Sequence, residues 1–185
     1  LGVVNILIDG KISLSLTAMA QKAMELTGLM DPNKQQQVLD SFKDFFRLRL
    51  KNVLGDAGVR YDVIDALLAT DTDDIYDAWL RAKAMASPEG IAAMERAVEA
   101  FTRAVNLAGK TECETIEESL FENAAETALY QASRAANIKI AEAVKSQAYL
   151  ETLQIVAELA EPIDAFFVAV MVMVDDARVR EIRLA

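Results

Sequence analysis

The sequence predicts an all-α protein, a bundle of roughly seven to nine helices. Its 185 residues include only seven glycines and three prolines, which favours long helices and short loops. Apolar residues recur at spacings of three and four in the longest segments, the period of an amphipathic helix. Hydrophobic residues make up 53% of the chain and aromatic residues 6%. That balance is typical of helical proteins rich in Ala and Leu, and the length is enough to bury a sizeable core.

Five helices are predicted in the first half of the chain. A short apolar helix comes first, and a second follows with Ser13 or Ser15 as its N-cap and Gly28 near its end. Asp31 and Pro32 form a turn into a long third helix, since proline suits the first helical position. The predicted spans are 1–8, 16–29, 33–54, 61–69 and 75–86.

The second half is predicted to continue as helices. Ser87 and Pro88 begin the next one as N-cap and first helical residue. Pro162 breaks a later helical hairpin, whose second arm is rich in Val and has the composition of a strand. Helix is predicted there because no other credible strand exists to pair with it. Asp175 or Asp176 caps the last helix. The predicted spans are 88–109, 120–146, 149–159, 163–173 and a final helix in 177–185.

One charged residue interrupts the apolar face of the third helix. Arg49 projects into the middle of the face that contains Phe46 and Leu50. An unpaired buried charge is too costly, so this guanidinium needs an acceptor or an anion. The following helix offers Asp62 and Asp65 as nearby carboxylates. We therefore predict a largely buried Arg49 in a structural ion pair with one of these two aspartates.

The formal net charge of −10 argues against general affinity for nucleic acid, but the charges are segregated. Residues 41–60 hold five Lys or Arg against two Asp, whereas residues 61–77 hold six Asp and no cation. Residues 111–127 hold six Glu, and the final nine residues are basic. Segregation of this kind leaves one face positive on an acidic protein, or it reflects solvated helix faces alone.

Composition removes several kinds of site. The chain has no histidine and a single cysteine, Cys113, so His-based zinc sites, Ser-His and Cys-His dyads and internal disulfides are excluded. The aspartates at 71–74 lack the glycine and glutamate of a calcium loop and are predicted to cap helices. The longest apolar block, 165–174, is too short to span a membrane, and the first residues lack a signal-peptide pattern. We expect a cytoplasmic protein without a membrane partner.

The stretch FRLRLKNVL, followed by GVRYDVIDALLA, resembles the C-terminal region of the bacterial glycyl-tRNA synthetase beta subunit. FTRAVNLAGK at 101–110, LFENAAETALY at 120–130 and PIDAFFVAVMVMVDDARVREIRLA at 162–185 agree with it in order and spacing. The resemblance covers most of the chain. It implies a helical anticodon-binding (DALR-like) domain, of the type shared with arginyl-tRNA synthetases, in residues 31–185, truncated at its C-terminal end. Residues 1–30 are then helices continuing from a preceding domain of a longer chain.

The same resemblance implies a division of labour within an alpha2beta2 enzyme. This chain binds tRNA and has no catalytic centre, cofactor or metal of its own. The alpha subunit uses ATP and Mg to attach glycine to its tRNA, so the complete assembly is a glycine–tRNA ligase. The implied partners are tRNA, the remainder of the beta subunit and the alpha subunit.

Binding to tRNA needs cations for phosphates and planar groups for exposed bases. Arg and Asn suit bases, and Lys supplies charge to phosphate. The predicted tRNA-binding residues are Lys43, Arg47, Lys51, Arg60, Arg103, Asn106, Lys110, Arg180 and Arg183. Of these, Lys51, Arg60, Arg103, Asn106, Lys110, Arg180 and Arg183 match positions of the family in the stretches that carry the resemblance.

Two other classes of function are open at this point. A helical scaffold or subunit-interaction module would use its apolar faces for protein partners and make no nucleic-acid contact. A carboxylate-based enzyme would need a concave acidic pocket, whereas the Asp and Glu clusters lie at predicted helix starts and in linkers, where capping explains them.

Overall fold

The computed structural model describes residues 2–29, 31–108 and 116–185, and most of these residues are helical. The α-helices of the described residues are α1 (Gly2–Asp9), α2 (Leu16–Thr27), α3 (Pro32–Asp56), α4 (Tyr61–Leu68), α5 (Ile75–Ala86), α6 (Pro88–Ala108), α7 (Ala124–Lys145), α8 (Tyr149–Glu158), α9 (Ala160–Ala169) and α10 (Ala177–Leu184). A short 3-10 helix covers Glu118–Leu120. The described residues contain no strand and a single isolated β-bridge, between Ser15 and Asp74. The predicted all-α class is confirmed.

The chain divides into two compact units, Leu1–Ser87 and Pro88–Ala185. In the first unit, α3 is the central element, and its Phe46, Leu50 and Leu54 are buried. They pack in one apolar cluster with residues of α1, α2, α4 and α5. The spacing of four between these three residues explains the burial, because it places them along one side of the helix.

The acidic loop before α5 anchors two helices of the first unit. Asp74 is the N-cap of α5 and accepts a hydrogen bond from the Asp77 backbone N–H. Asp73 lies beside the start of α2, where its carboxylate accepts from the Ser15 hydroxyl and from the backbone N–H and hydroxyl of Thr17. These bonds satisfy donors that a helix start leaves without partners. The predicted capping role of the loop is confirmed.

Three small apolar clusters form the core of the second unit. Ala100 of α6 packs with Ala160 and Ile163 of α9. Ala136 and Ala143 of α7 pack with a residue of α8. The third cluster joins the end of α9 and the segment after it to α10 through Phe166, Val170, Val172 and Leu184. Small side chains on α6 and α7 let these helices approach their neighbours closely.

Most predicted caps are observed. Ser15, Asp31 and Asp176 are the N-caps of α2, α3 and α10, and Gly28 ends α2 in the left-handed conformation at φ 71°. The break in the predicted helical hairpin lies at Leu159, and Pro162 falls within the first turn of α9. A proline is accepted there because the first N–H groups of a helix have no intrahelical partner.

The Val-rich segment is helical only in part. The structure ends α9 at Ala169, with Val170 in an extended conformation, whereas the sequence predicts helix to residue 173. Val170 and Val172 are buried in the cluster with Leu184, two residues apart as in an extended segment. Burial of these alternate side chains accounts for the early end of α9.

The predicted domain boundary at 30/31 concerns which residues belong to the anticodon-binding type of domain, and it stays a prediction. Compactness divides the chain elsewhere, after Ser87. Within the first unit, α1 and α2 pack directly on α3.

Candidate nucleic-acid interface

Three cations of α3 follow one another at intervals of four residues, and we call Lys43, Arg47 and Lys51 the α3 basic row. All three are exposed. Lys51 forms an ion pair with Asp65 at 3.1 Å. Lys43 and Arg47 have no carboxylate within 4.0 Å among the residues that the structure describes. Two cations of the row are therefore free to bind an external anion.

Carboxylates lie close to the row without pairing with it. Lys43 and Arg47 line a shallow cavity of about 400 Å³. Its acidic lining residues are Asp40, Asp44, Asp71 and Asp73. Burial opposes ionisation of Asp73, but hydrogen bonds from Ser15 and Thr17, with a smaller contribution from the charge of Lys43, hold the pKa of Asp73 below its ordinary value. Asp73 is thus engaged in capping, whereas Asp40 and Asp44 belong to α3 itself, and the row borders an acidic surface.

Arg60 lies at the N-cap position of α4. Its guanidinium binds the Asp62 carboxylate through two hydrogen bonds. The bond from Arg60 holds the pKa of Asp62 below its ordinary value. Both side chains are exposed, so Arg60 can exchange this partner for a phosphate at little cost.

The predicted ion pair of Arg49 is wrong. Asp62 pairs with Arg60, and Asp65 pairs with Lys51. Arg49 instead lies on the ring of Phe45, with its Cζ 3.1 Å from the ring centroid, and its Nη1 donates to the Phe45 carbonyl oxygen at 3.0 Å. Arg49 is half-buried. It needs no carboxylate because it reaches the exposed border of the apolar face, where an aromatic ring and solvent stabilise the charge.

In the second unit, Arg103 and Asn106 lie one turn apart on α6, and both are exposed. The Arg103 guanidinium lies 4.5 Å from the centroid of the Phe167 ring and binds Asp164 at 3.3 Å. Its side chain remains 49% exposed. The structure therefore brings together a planar cation, an aromatic ring and a nearby amide. Lys110, the third predicted residue of this stretch, lies outside the described residues.

The remaining predicted cations belong to α10, and both form hydrogen bonds with other groups of the second unit. Arg180 is half-buried, and its Nη1 donates to the Val174 carbonyl oxygen at 2.8 Å. Arg183 has a side chain only 6% exposed and forms an ion pair with Glu126, which is 3% exposed, at 2.7 Å. The structure thus contradicts a tRNA-binding role for Arg183, which links α10 to the start of α7.

The polar contacts of Arg183 with described residues lie within the second unit. Its Nε donates to Glu126, its Nη2 to Glu122 at 2.8 Å and its Nη1 to the Met171 carbonyl oxygen at 3.1 Å. Burial opposes ionisation of Glu126, but hydrogen bonds from Arg183 and from the backbone N–H groups of Glu122 and Asn123 hold the pKa of Glu126 below its ordinary value. The bond to Glu126, opposed by burial, raises the pKa of Arg183.

Sequence spacing held a signal for this buried pair. Val179 and Leu184 of α10 are buried, and Arg183 lies four residues after the first and next to the second. That spacing places Arg183 on the inward side of the helix. Glu126 is the third residue of α7 and completes a capping box with Asn123, which also explains why a glutamate is buried there.

The aromatic partners of the two stacked arginines are absent from the predicted site. Phe45 lies four residues before Arg49, a spacing at which helical side chains meet, so this contact had a sequence signal. Phe167 meets Arg103 across 64 positions and had none. No group of three or more potential metal ligands occurs in the described parts of the chain. Likewise, none of the described helices is long and apolar enough to cross a membrane.

Comparison with known proteins agrees with the sequence resemblance. Residues 1–69 match the family model described as glycyl-tRNA synthetase beta subunit. The whole chain is 34% identical to a glycine–tRNA ligase beta subunit of Clostridioides difficile, 35% identical to one of Desulforamulus reducens and 37% identical to one of Desulforudis audaxviator. Each match covers 100% of this chain and 27% of the relative, so the chain spans about a quarter of their length. The predicted resemblance to this subunit is confirmed.

Proposed function

We propose, from the similarity of the whole chain to glycine–tRNA ligase beta subunits, that this chain supplies tRNA binding to a glycyl-tRNA synthetase. The observation that carries the proposal is identity of 34–37% across all 185 residues, which includes both compact units. The anticodon region of the tRNA is the part that we assign to it. Attachment of glycine, with its need for ATP and Mg, is assigned to the alpha subunit.

The α3 basic row is the first surface that supports this proposal. Phosphate binding needs cations that are exposed and not already neutralised. Lys43 and Arg47 meet that requirement. Lys51 and Arg60 form only exposed ion pairs, and such pairs contribute little stability and exchange readily. The neighbouring aspartates repel RNA, so binding at this row depends on close alignment of a phosphate with the cations. Binding weakens with salt because salt screens the attraction between the cations and the phosphate.

A second surface lies on α6 and α9. The guanidinium of Arg103 is held in one orientation by the Phe167 ring and by Asp164. A planar cation with a fixed orientation can stack on a base or bind it with two hydrogen bonds. Asn106, one turn further along α6, adds an amide that both donates and accepts. This combination suits an unpaired base better than it suits a phosphate alone.

The proposal is tested by tRNA binding to matched double variants. We expect Lys43→Gln combined with Arg47→Gln to weaken binding of glycine tRNA by the 185-residue chain. The slope of log K against log salt should become shallower by up to about two, since each lost phosphate contact removes up to about one. The control, Lys139→Gln with Lys145→Gln, removes the same charge from exposed positions of α7. Equal effects of the two double variants on tRNA affinity would contradict the assignment of tRNA binding to the α3 basic row.

A subunit-interaction role without RNA contact is the second candidate, and one observation favours it. Val168, Met171 and Met173 are exposed by 86, 74 and 59% near the end of α9. Clustered apolar exposure of this kind marks protein contacts. Under this role, Val168→Ser with Met171→Gln would reduce assembly with the alpha subunit in a pull-down and leave tRNA affinity unchanged. Unchanged assembly together with reduced tRNA affinity would exclude the subunit-interaction role.

A further inference from the structure

The contact between Arg49 and Phe45 places a guanidinium against an exposed aromatic ring. A carbon atom 3.1 Å from the ring centroid must lie over the ring face, because the ring edge would clash with it at that distance. The planar guanidinium can lie so close only when it is roughly parallel to the ring. The face of the guanidinium away from the ring is then the one on which another planar group can stack. Of its five N–H donors, one binds the Phe45 carbonyl, and no other described residue accepts from it.

This pair belongs to a longer exposed surface of α3. Spacings of four and three residues place its members along one side of the helix, away from the basic row. We call it the α3 stacking stripe; its members are Lys34, Val38, Ser41, Phe45, Leu48, Arg49 and Asn52. Every member except the half-buried Arg49 is exposed, and Phe45 is 47% exposed.

Charge distinguishes this stripe from the rest of an acidic chain. The stripe contains two cations and no carboxylate, although the chain carries a net charge of −10. Of the acids of α3, Asp40 and Asp44 line a cavity with two cations of the basic row, and Asp56 lies one turn beyond Asn52 at the C-terminal end of the stripe. Arg49 has no carboxylate within 4.0 Å among the described residues. The stripe is therefore electrostatically complementary to an anion.

We propose that the Arg49–Phe45 pair is a stacking platform for one unpaired nucleobase of RNA, with the adjoining phosphate bound by the free N–H groups of Arg49. This proposal rests on the proposed tRNA-binding function and adds a site to it. Unpaired bases stack on aromatic rings and on guanidinium planes, and RNA recognition relies on such contacts in loops and at ends. The guanidinium here is pre-oriented, so little conformational freedom is lost when a base stacks on it.

A protein partner fits the stripe less well. The apolar members Val38, Phe45 and Leu48 alternate with Ser41 and Asn52, which interrupts a continuous apolar face. A docked helix would need to satisfy those polar groups and the open donors of Arg49. An RNA segment supplies phosphate and base acceptors for these donors while its base covers the aromatic pair.

The test uses a single-stranded RNA hexamer that carries 2-aminopurine and the complete 185-residue chain. Stacking on the platform should quench the fluorescence of the probe. Arg49→Lys keeps the charge and removes the plane, and Phe45→Leu keeps an apolar side chain and removes the ring. Each should weaken binding at least about fivefold and reduce the quenching. The control Arg134→Lys alters a guanidinium of the other unit, 5.7 Å from the Tyr130 centroid, and should change neither.

Three results would overturn the platform. The first is unchanged quenching and affinity in Arg49→Lys, a substitution outside the buried face of α3 that keeps the positive charge. The second is an equal loss in Arg134→Lys. The third is a change of oligomeric state in sedimentation with no change in RNA affinity, which would assign the stripe to a protein. If the stripe variants bind glycine tRNA normally while Lys43→Gln with Arg47→Gln does not, the platform fails and the proposed function survives. If the unsubstituted chain binds no tRNA, both fail.

Discussion

Replacement of Arg183 by Met is expected to destabilise the second unit strongly. The substitution keeps a long side chain and removes the charge that pairs with Glu126, whose own side chain is 3% exposed. Glu126 would keep its two backbone donors, the N–H groups of Glu122 and Asn123, at 2.8 and 2.7 Å. It would lose Arg183, its one cationic partner among the residues that the structure describes. Breaking one partner of a buried pair costs about 3–5 kcal/mol, which is a large part of the stability of an ordinary domain.

Arg178→Met is a matched control on the same helix. Arg178 also forms an ion pair, with Glu117 at 3.1 Å, but its side chain is 70% exposed. Such pairs contribute about 0–1 kcal/mol. Urea denaturation followed by far-UV circular dichroism gives the free energy of unfolding of each variant. Hydrogen exchange of the α7 and α10 amides would locate the change within the second unit.

The pH dependence adds a second signature. The pKa of Glu126 is held below its ordinary value in the folded chain, so its stabilising contribution is complete above the unfolded pKa and is lost as pH falls through the folded pKa. In Arg183→Met, burial without a countercharge should raise the pKa of Glu126 above its unfolded value. The difference in stability between the two proteins should then narrow as pH falls from 7 toward 4. Equal destabilisation by Arg183→Met and Arg178→Met, or a difference independent of pH, would refute the account of a buried pair.

The remaining stability predictions concern caps and glycines of the first unit, each measured by urea denaturation. Asp73→Asn should lower the free energy of unfolding by about 1 kcal/mol at neutral pH, because the cap of α2 is weakened. This loss of stability should diminish as pH falls through the lowered pKa of Asp73. A loss that does not change with pH would argue against an ionised cap. Gly28→Ala should cost about 1 kcal/mol, since φ is +71° there. Gly55→Ala should instead stabilise by about 0.5–1 kcal/mol, because Gly55 is helical and an added Cβ meets nothing within 4 Å. A loss of stability in Gly55→Ala as well as in Gly28→Ala would contradict the expected difference between the two glycines.

Local sequence signals predicted most of the fold because the chain is helical and its boundaries depend on nearby residues. Ser15, Gly28, Asp31 and Asp176 end or begin helices where their own backbone and side-chain preferences place them. The end of α9 was predictable only in part. The Val-rich composition of this segment indicated extended structure, but the residue at which the helix ends depends on contacts of Val170 and Val172 with Leu184, which the local pattern does not show.

In the candidate site, too, local features were predicted from the sequence and contacts between helices were not. Exposure of the α3 basic row followed from helical spacing alone. The pairing of Arg49 did not, because Asp62 and Asp65 each had a closer cation, Arg60 and Lys51. Which cation a carboxylate selects depends on side-chain reach in three dimensions. The prediction for Arg183 failed for a different reason. It came from a resemblance that covers the segment of Arg183, and such a resemblance cannot distinguish a contact with RNA from a contact within the protein's own core.

Chemical probing of glycine tRNA in the presence of the 185-residue chain tests the central proposal most directly. At low salt and saturating protein, the anticodon nucleotides should become less reactive, and the protection should disappear when salt is raised, since the assigned contacts include phosphates. The double variant Lys43→Gln with Arg47→Gln should need more protein for the same protection. Anticodon nucleotides that remain as reactive with the chain as in tRNA alone would contradict the proposed recognition.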